Sequence, residues 1–159
     1  MRQKRLVKDP KKAREYYSGK QKRHTLKGQI VIDKEERIMC VHTAKGTTHD
    51  FRLFQESNLP LMPKTCVYVD LGYLGIAKEH SHCQIPHKAS KLHPLSEEQK
   101  EENRQKASAR ICVEHVNAKI KTFQILTQKY RNRRKRFNLR FNLICGLINF
   151  DRGFAVEYK

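Results

Sequence analysis

Apolar and polar positions along the chain change their period several times, and each change predicts an element. Gly28-Gln-Ile-Val-Ile-Asp33 and Arg37-Ile-Met-Cys-Val-His-Thr43 are β-prone runs. The polar DKEER between them predicts a hairpin. FRLFQES, following Thr47-Thr-His-Asp50, predicts a short helix capped by Thr48 or Asp50 and closed by Pro60 and Pro63. Thr65-Cys-Val-Tyr-Val-Asp70 predicts a buried strand that ends in an acid and runs into a sharp turn, Leu71-Gly-Tyr-Leu-Gly75. A weak helix near Ile76 to His80 and a short strand around Cys83 to His87 come next. After Pro94, Ser96-Glu-Glu-Gln99 has the form of a capping box. The helical period then continues to about Gln128, with a break expected near Ala107. A last helix, from about Arg136 to Phe150, carries Phe137, Phe141, Ile144 and Ile148 on one stripe.

The order strand, strand, helix, strand, helix, strand, helix predicts an α/β fold with a mixed sheet flanked by helices. At 159 residues the chain suits one domain with a real core. Its expected organisation is a basic N-terminal arm over 1–23, an α/β body over 24–129, and a basic patch with a C-terminal helix over 130–159 packed on that body.

Charge sharpens the picture. Lys and Arg total 34 against 16 Asp and Glu, a formal charge of +18. Such an excess attracts a polyanion by neutralising phosphates and releasing counterions, so nucleic acid is the expected partner. Lys20, Lys22 and Arg23 in the arm, and Arg131, Arg133 and Arg134 in YRNRRKR, are the candidate DNA contacts. The charged start MRQKRLVKDPKK has no apolar signal region, and no apolar run approaches a membrane span. A membrane partner is not expected. The five cysteines are scattered and form no C-x-x-C, as reduced thiols of a cytoplasmic protein would.

One acid stands out. On a helical wheel of ARICVEHVNAKIKTF, Cys112, Val116, Ile120 and Phe123 make a buried stripe. Glu114 falls well round from it, with Asn117 and Lys121 beside Glu114 on a separate polar face. Glu114 is either a solvated partner of nearby lysines or half of a metal clamp. Asp70 bears on that choice, because open α/β sheets bind ligands at the C-terminal ends of their strands. An Asp capping the turn is the structural alternative. Two carboxylates on a basic protein suit Mg2+ or Mn2+, which prefer oxygen ligands and keep positions open for water and phosphate.

Several motifs in order then resemble one family. Arg110, Glu114 and Lys121 reproduce the R-x3-E-x6-K part of a signature carried by DDE transposases of bacterial insertion sequences, in particular the insertion-sequence-five group and its Harbinger relatives. The Tyr of that signature is Ala107 in this chain, which removes one polar contact. YYSGKQKRHTLKGQIVID, AKGTTHD, VDLGYLG, IPHK, LSEEQKEENR and YRNRRKR also resemble family segments, so the likeness covers nearly the whole chain. It implies a ribonuclease-H-like DDE catalytic domain and metal-dependent DNA cleavage and strand transfer, with transposon ends and target DNA as partners. Asp70 would be the second acid and Glu114 the third, both metal ligands. Arg110 and Lys121 would touch substrate phosphates, and Asp50 would cap a helix.

The family's first acid lies in an Asp-Gly-Thr context before the YSGK segment, and neither Asp9 nor Asp33 replaces it. The resemblance therefore predicts a C-terminal portion lacking its first, central strand and inactive alone. It is read as either a degenerate remnant or the second frame of a split transposase whose upstream polypeptide carries the missing strand. That polypeptide and a homo-oligomer are the expected protein partners, in a bacterial cytoplasm near the nucleoid. Two other readings stay open. A non-catalytic basic nucleic-acid-binding module explains the charge but not the Arg-Glu-Lys spacing. A zinc site from His80, His82, Cys83, His87 and His93 matches no finger spacing, and a histidine-rich loop beside phosphate is the simpler account.

Overall fold

In a computed structural model of the protein, residues 2–5, 16–18, 22–90, 94–128 and 136–154 are described. The chain divides into two compact units, Met1–Thr48 with His115–Lys159, and His49–Glu114.

In the first unit, β3 (Arg23–Ile32) and β4 (Ile38–Lys45) form the expected hairpin. Its register runs from Leu26 opposite Lys45 to Ile32 opposite Ile38, with a bulge between Val31 and Ile32. The turn is tied by Asp33, whose carboxylate accepts from the Glu35 and Arg37 amides at 3.0 and 2.8 Å. Glu36 there has φ of 64°. Two further strands, β1 (Arg2–Arg5) and β2 (Tyr17–Ser18), pair antiparallel with β3. The described part of the sequence expected as a basic arm is thus in the sheet.

The C-terminal helix, α4 (Phe137–Asp151), matches its prediction to within a residue. It buries Phe137, Phe141, Ile144, Cys145 and Ile148. These join Leu26, Ile38, Val116, Ile120 and Leu126 in one apolar core, with Ile30, Ile32, Val41 and Phe123 packed on it. Gly28 explains how closely helix and sheet approach, since a Cβ at that position would stand 2.7 Å from the Phe141 ring. Asn149 fixes the pairing. It accepts from the Ile38 amide at 2.9 Å and donates to the Ile38 carbonyl at 3.0 Å. Burial pushes the Cys145 thiol up to about 12, so it stays a packed, inert group.

The second unit holds α1 (Asp50–Glu56), β5 (Val67–Tyr68), a 3-10 helix over Leu71–Lys78 and β6 (Cys83–Gln84). Helix α2 (Glu97–Thr122) begins in this unit and ends in the first, followed by α3 (Gln124–Thr127). The capping box is present, with Ser96 N donating to Gln99 Oε1 at 3.1 Å and Gln99 N donating to Ser96 Oγ at 3.2 Å. Helix α2 runs through Ala107 without the expected break. Ala is the best helix former, and nothing nearby is Gly or Pro.

Two expectations about sheets are corrected. The strand before Asp70 is two residues long rather than six, and Cys66, Tyr68 and Asp70 are exposed, so it is not a buried strand. It also belongs to a separate parallel pair with β6 and not to one mixed sheet, while every pairing in the larger sheet is antiparallel. A run this short, with only Val67 and Val69 half-buried, has too little apolar surface to hold a sheet position between two layers.

Candidate functional site

Asp70 ends the β5 segment and caps the 3-10 helix that follows. Its φ/ψ of −83°/164° are extended, and its Oδ1 accepts from the Leu71 amide at 2.6 Å. The second carboxylate oxygen remains outward, where Arg110 Nη2 approaches Oδ2 at 3.4 Å. The turn cap expected as the structural alternative thus uses one oxygen, and Arg110 approaches the other. Asp70 and Arg110 lie 40 residues apart in sequence.

Glu114 follows Arg110 by one helical turn of α2, on the same face. Its carboxylate is exposed and has no hydrogen-bond or ion-pair partner among the described residues. Lys121 is exposed in the last turn of the helix. The polar face expected for ARICVEHVNAKIKTF is present, since Val116 and Ile120 are fully buried while Glu114 and Lys121 are not.

The Asp70–Arg110 pair is solvent-accessible and long for an ion pair. Pairs of that kind contribute about 0–1 kcal/mol. Arg110 therefore neutralises Asp70 without locking it, and a phosphate or a cation can displace the contact at little cost.

Helix α1 shapes the turn from behind. Its cap is His49, not Thr48 or Asp50, with Nδ1 accepting from the Phe51 amide at 3.4 Å. Asp50 is instead the first helical residue, which suits a carboxylate at the positive end of the helix. Two glycines let α1 approach the 3-10 helix. A Cβ on Gly72 would fall 2.7 Å from Asp50 Oδ2, and one on Gly75 would run into the Phe51 ring. Tyr73 feels the charges of both acids. Burial chiefly, then the charges of Asp50 and Asp70, push its hydroxyl up to about 12, so it stays protonated as a donor. Asp50 and Tyr73 are the neighbours of Asp70 that sequence reasoning missed. The paired glycines of DLGYLG were the available signal, since they mark a close approach.

Two of the remaining basic candidates fall among the described residues. Lys22 is exposed with φ of 47°, and Arg23 opens β3. Lys20, Arg131, Arg133 and Arg134 lie outside the described residues. The histidine window assembles no zinc site: no three His, Cys, Asp or Glu side chains among the described residues could hold a metal ion. His80 is buried and bonded to the Thr65 carbonyl, which also removes it from any phosphate path. His87 pairs with Glu102 at 2.7 Å, and its backbone is bracketed by Asn103. His93 lies outside the described residues.

With these features in place, comparison with known proteins assigns the class. Residues 4–149 match the model of the DDE superfamily endonucleases, and the chain belongs to that family. It is 46% identical, over 147 residues, to a protein of Microchaete diplosiphon assigned as a transposase for insertion sequence element IS702. That match covers 91% of this chain and 53% of the relative. A protein of Streptomyces albus G, assigned as a transposase for insertion sequence element IS112, is 31% identical over 112 residues, covering 68% of this chain and 42% of the relative. The chain thus spans about half the length of the relatives it matches. No solved structure matches it. Among the described residues, no helix is long and apolar enough to cross a membrane.

Proposed function

We propose that the chain is part of a transposase that cleaves and joins DNA with a divalent metal, Mg2+ or Mn2+, at a ribonuclease-H-like site in which Asp70 and Glu114 are the second and third acids. It would work on nucleoid DNA in a bacterial cytoplasm. The observation that carries this reading is Arg110: its guanidinium meets Asp70 at 3.4 Å, and Glu114 stands one turn farther along the same helix face.

The donor chemistry fits a hard cation. Both groups are exposed carboxylates, and the Glu114 oxygens are uncommitted among the described residues. Asp70 Oδ2 already balances a cationic guanidinium. When bound, the metal would polarise the scissile phosphodiester and activate the attacking oxygen. The chain's own residues do the rest. Capping the 3-10 helix holds Asp70 with one oxygen outward, and α2 holds Glu114 on a rigid element. Arg110 can swing from Asp70 to a substrate phosphate, giving a bidentate, charge-assisted contact. Lys121 adds a point charge along the same helix, and the +18 excess supplies affinity for the strand. The three-acid set implied by the family needs a further acid beside these two. Alone, the chain is expected to bind DNA without cutting it.

A non-catalytic basic nucleic-acid-binding module is the second reading, favoured by the charge alone. Titration with Mn2+, followed by paramagnetic broadening of backbone amide signals, separates the two. Broadening centred on both Asp70 and Glu114, and lost in Asp70→Asn and Glu114→Gln, is the expected result. Broadening elsewhere, or none, removes the metal-site reading while leaving DNA binding intact.

A further inference from the structure

Helix α4 is apolar on two opposite sides. Its inner stripe is the core face described above. On the other side, Leu139, Leu143, Leu147 and Phe150 follow spacings of four, four and three, so they lie within one narrow arc. They are 57%, 59%, 58% and 74% exposed. Leu139, Asn142, Leu143, Gly146 and Leu147 line a shallow groove along this face. Gly146 forms its open floor, for a Cβ there would meet nothing within 4 Å. From Phe141 to Phe150 the helix has no charged residue, in a chain with 34 Lys and Arg. A contiguous exposed apolar patch of this kind marks an interface.

The composition of the face narrows the occupant. No groove residue is cationic, so the patch cannot neutralise phosphate and is not a DNA surface. An apolar protein surface is the complementary chemistry. The relatives supply its source, because the stretch matched by this chain is 53% of one of them and 42% of the other. Roughly half of each of these relatives lies outside the stretch that this chain matches.

We propose that the outer face of α4 is the docking surface for the other portion of a full-length transposase, the part that lies outside the matched stretch. The inference rests on the chain being part of such an enzyme. It adds the surface by which the two portions join, whether they are carried on one polypeptide or two. Leu143 and Leu147 are the central anchors, since they flank the groove at Gly146.

The test is binding between the full chain and a probe: the segment of the IS702-element protein of Microchaete diplosiphon outside the stretch that this chain matches. Light scattering after size exclusion and calorimetry are done in EDTA and without DNA, so that the metal-site reading plays no part. A one-to-one complex is expected. The Leu143→Lys, Leu147→Lys double variant should weaken it at least about thirtyfold, as loss of central anchors does. Met62→Lys, at a residue 76% exposed and distant in sequence, should leave it unchanged. Asp70→Asn should bind the probe normally, which keeps this outcome separate from failure of the metal site. If the double variant loses its circular-dichroism melting transition, Leu147→Gln alone replaces it, with the same direction expected. The proposal is overturned if no complex forms or if the face variants bind as well as the parent. It is equally overturned if they abolish only self-association, which would make the occupant a second copy of the chain.

Discussion

The two units of this protein are held together by different physics. The first is a layer of sheet covered by a helix, with a contiguous apolar core running from Leu26 and Ile38 through Val116, Ile120 and Leu126 to Phe141 and Ile148. The second, His49–Glu114, buries only Leu53 and Ile76 fully among its described apolar side chains. Polar ties do much of its work: His80 on the Thr65 carbonyl, Asn103 bracketing His87, and Lys106 on the Ile85 carbonyl at 3.2 Å. Hydrogen bonds of this kind contribute about 1 kcal/mol each, whereas a buried large apolar side chain contributes about 1.5–3 kcal/mol. Asp70, Arg110 and Glu114 all belong to the second unit. The candidate site is therefore carried by the less apolar unit, as expected where a ligand must enter and charges must stay hydrated.

That contrast can be broken at its strongest point first. Phe141→Ala empties the centre of the first core and should cost about 3–5 kcal/mol. The measurement is chemical denaturation combined with amide hydrogen exchange. Protection should fall most over β3, β4 and α4, and a uniform loss extending through Leu71–Lys78 would show that the units do not differ as argued. Gly75→Ala probes the second unit. The added methyl must displace the Phe51 ring, so a loss of about 1–3 kcal/mol is expected. Gly146→Ala is its counterpart in the first unit, in open space on a helix, and should instead gain up to about 1 kcal/mol. A Gly75 variant as stable as the parent would contradict the packing of α1 on the 3-10 helix.

The smallest effect is expected from alkali. The Tyr73 hydroxyl is raised to about 12, above its ordinary value of about 10. Its protonated form is favoured in the folded state, so its contribution is intact below pH ~10 and is lost progressively as pH rises toward the folded value. A modest fall in the urea midpoint between about pH 10 and about pH 12 should follow, and Tyr73→Phe should remove that part of the fall. The same slope in both proteins would place the alkaline loss elsewhere.

The predicted elements and the observed ones agree where a pattern is long and local. Helix α4 was legible because four aromatic and aliphatic residues repeat at helical spacing. The hairpin was legible because two β-prone runs flank a polar turn, and the start of α2 because Ser96 and Gln99 stand three apart before a helical run. Short or composite features were less legible. The β5 strand looked buried because Val67 and Val69 are apolar, yet its burial depends on neighbours that no local pattern specifies. The cap of α1 fell to His49 because a histidine nitrogen can accept an amide, a choice made by geometry among three adjacent polar residues.

From the order of its residues alone, this chain is marked as a polycation with one strong C-terminal helix, a hairpin, and an Arg110, Glu114, Lys121 spacing and a VDLGYLG segment that resemble those of DDE transposases. Those properties reside in charge, period and spacing, which need no partner to be read. Tertiary structure alone decided that Arg110 rests on Asp70, that Asp50 and Tyr73 crowd the same turn, and that α4 keeps a second apolar face uncovered. Each of these is a contact, or the lack of one, between segments tens of residues apart, and only folding sets such distances.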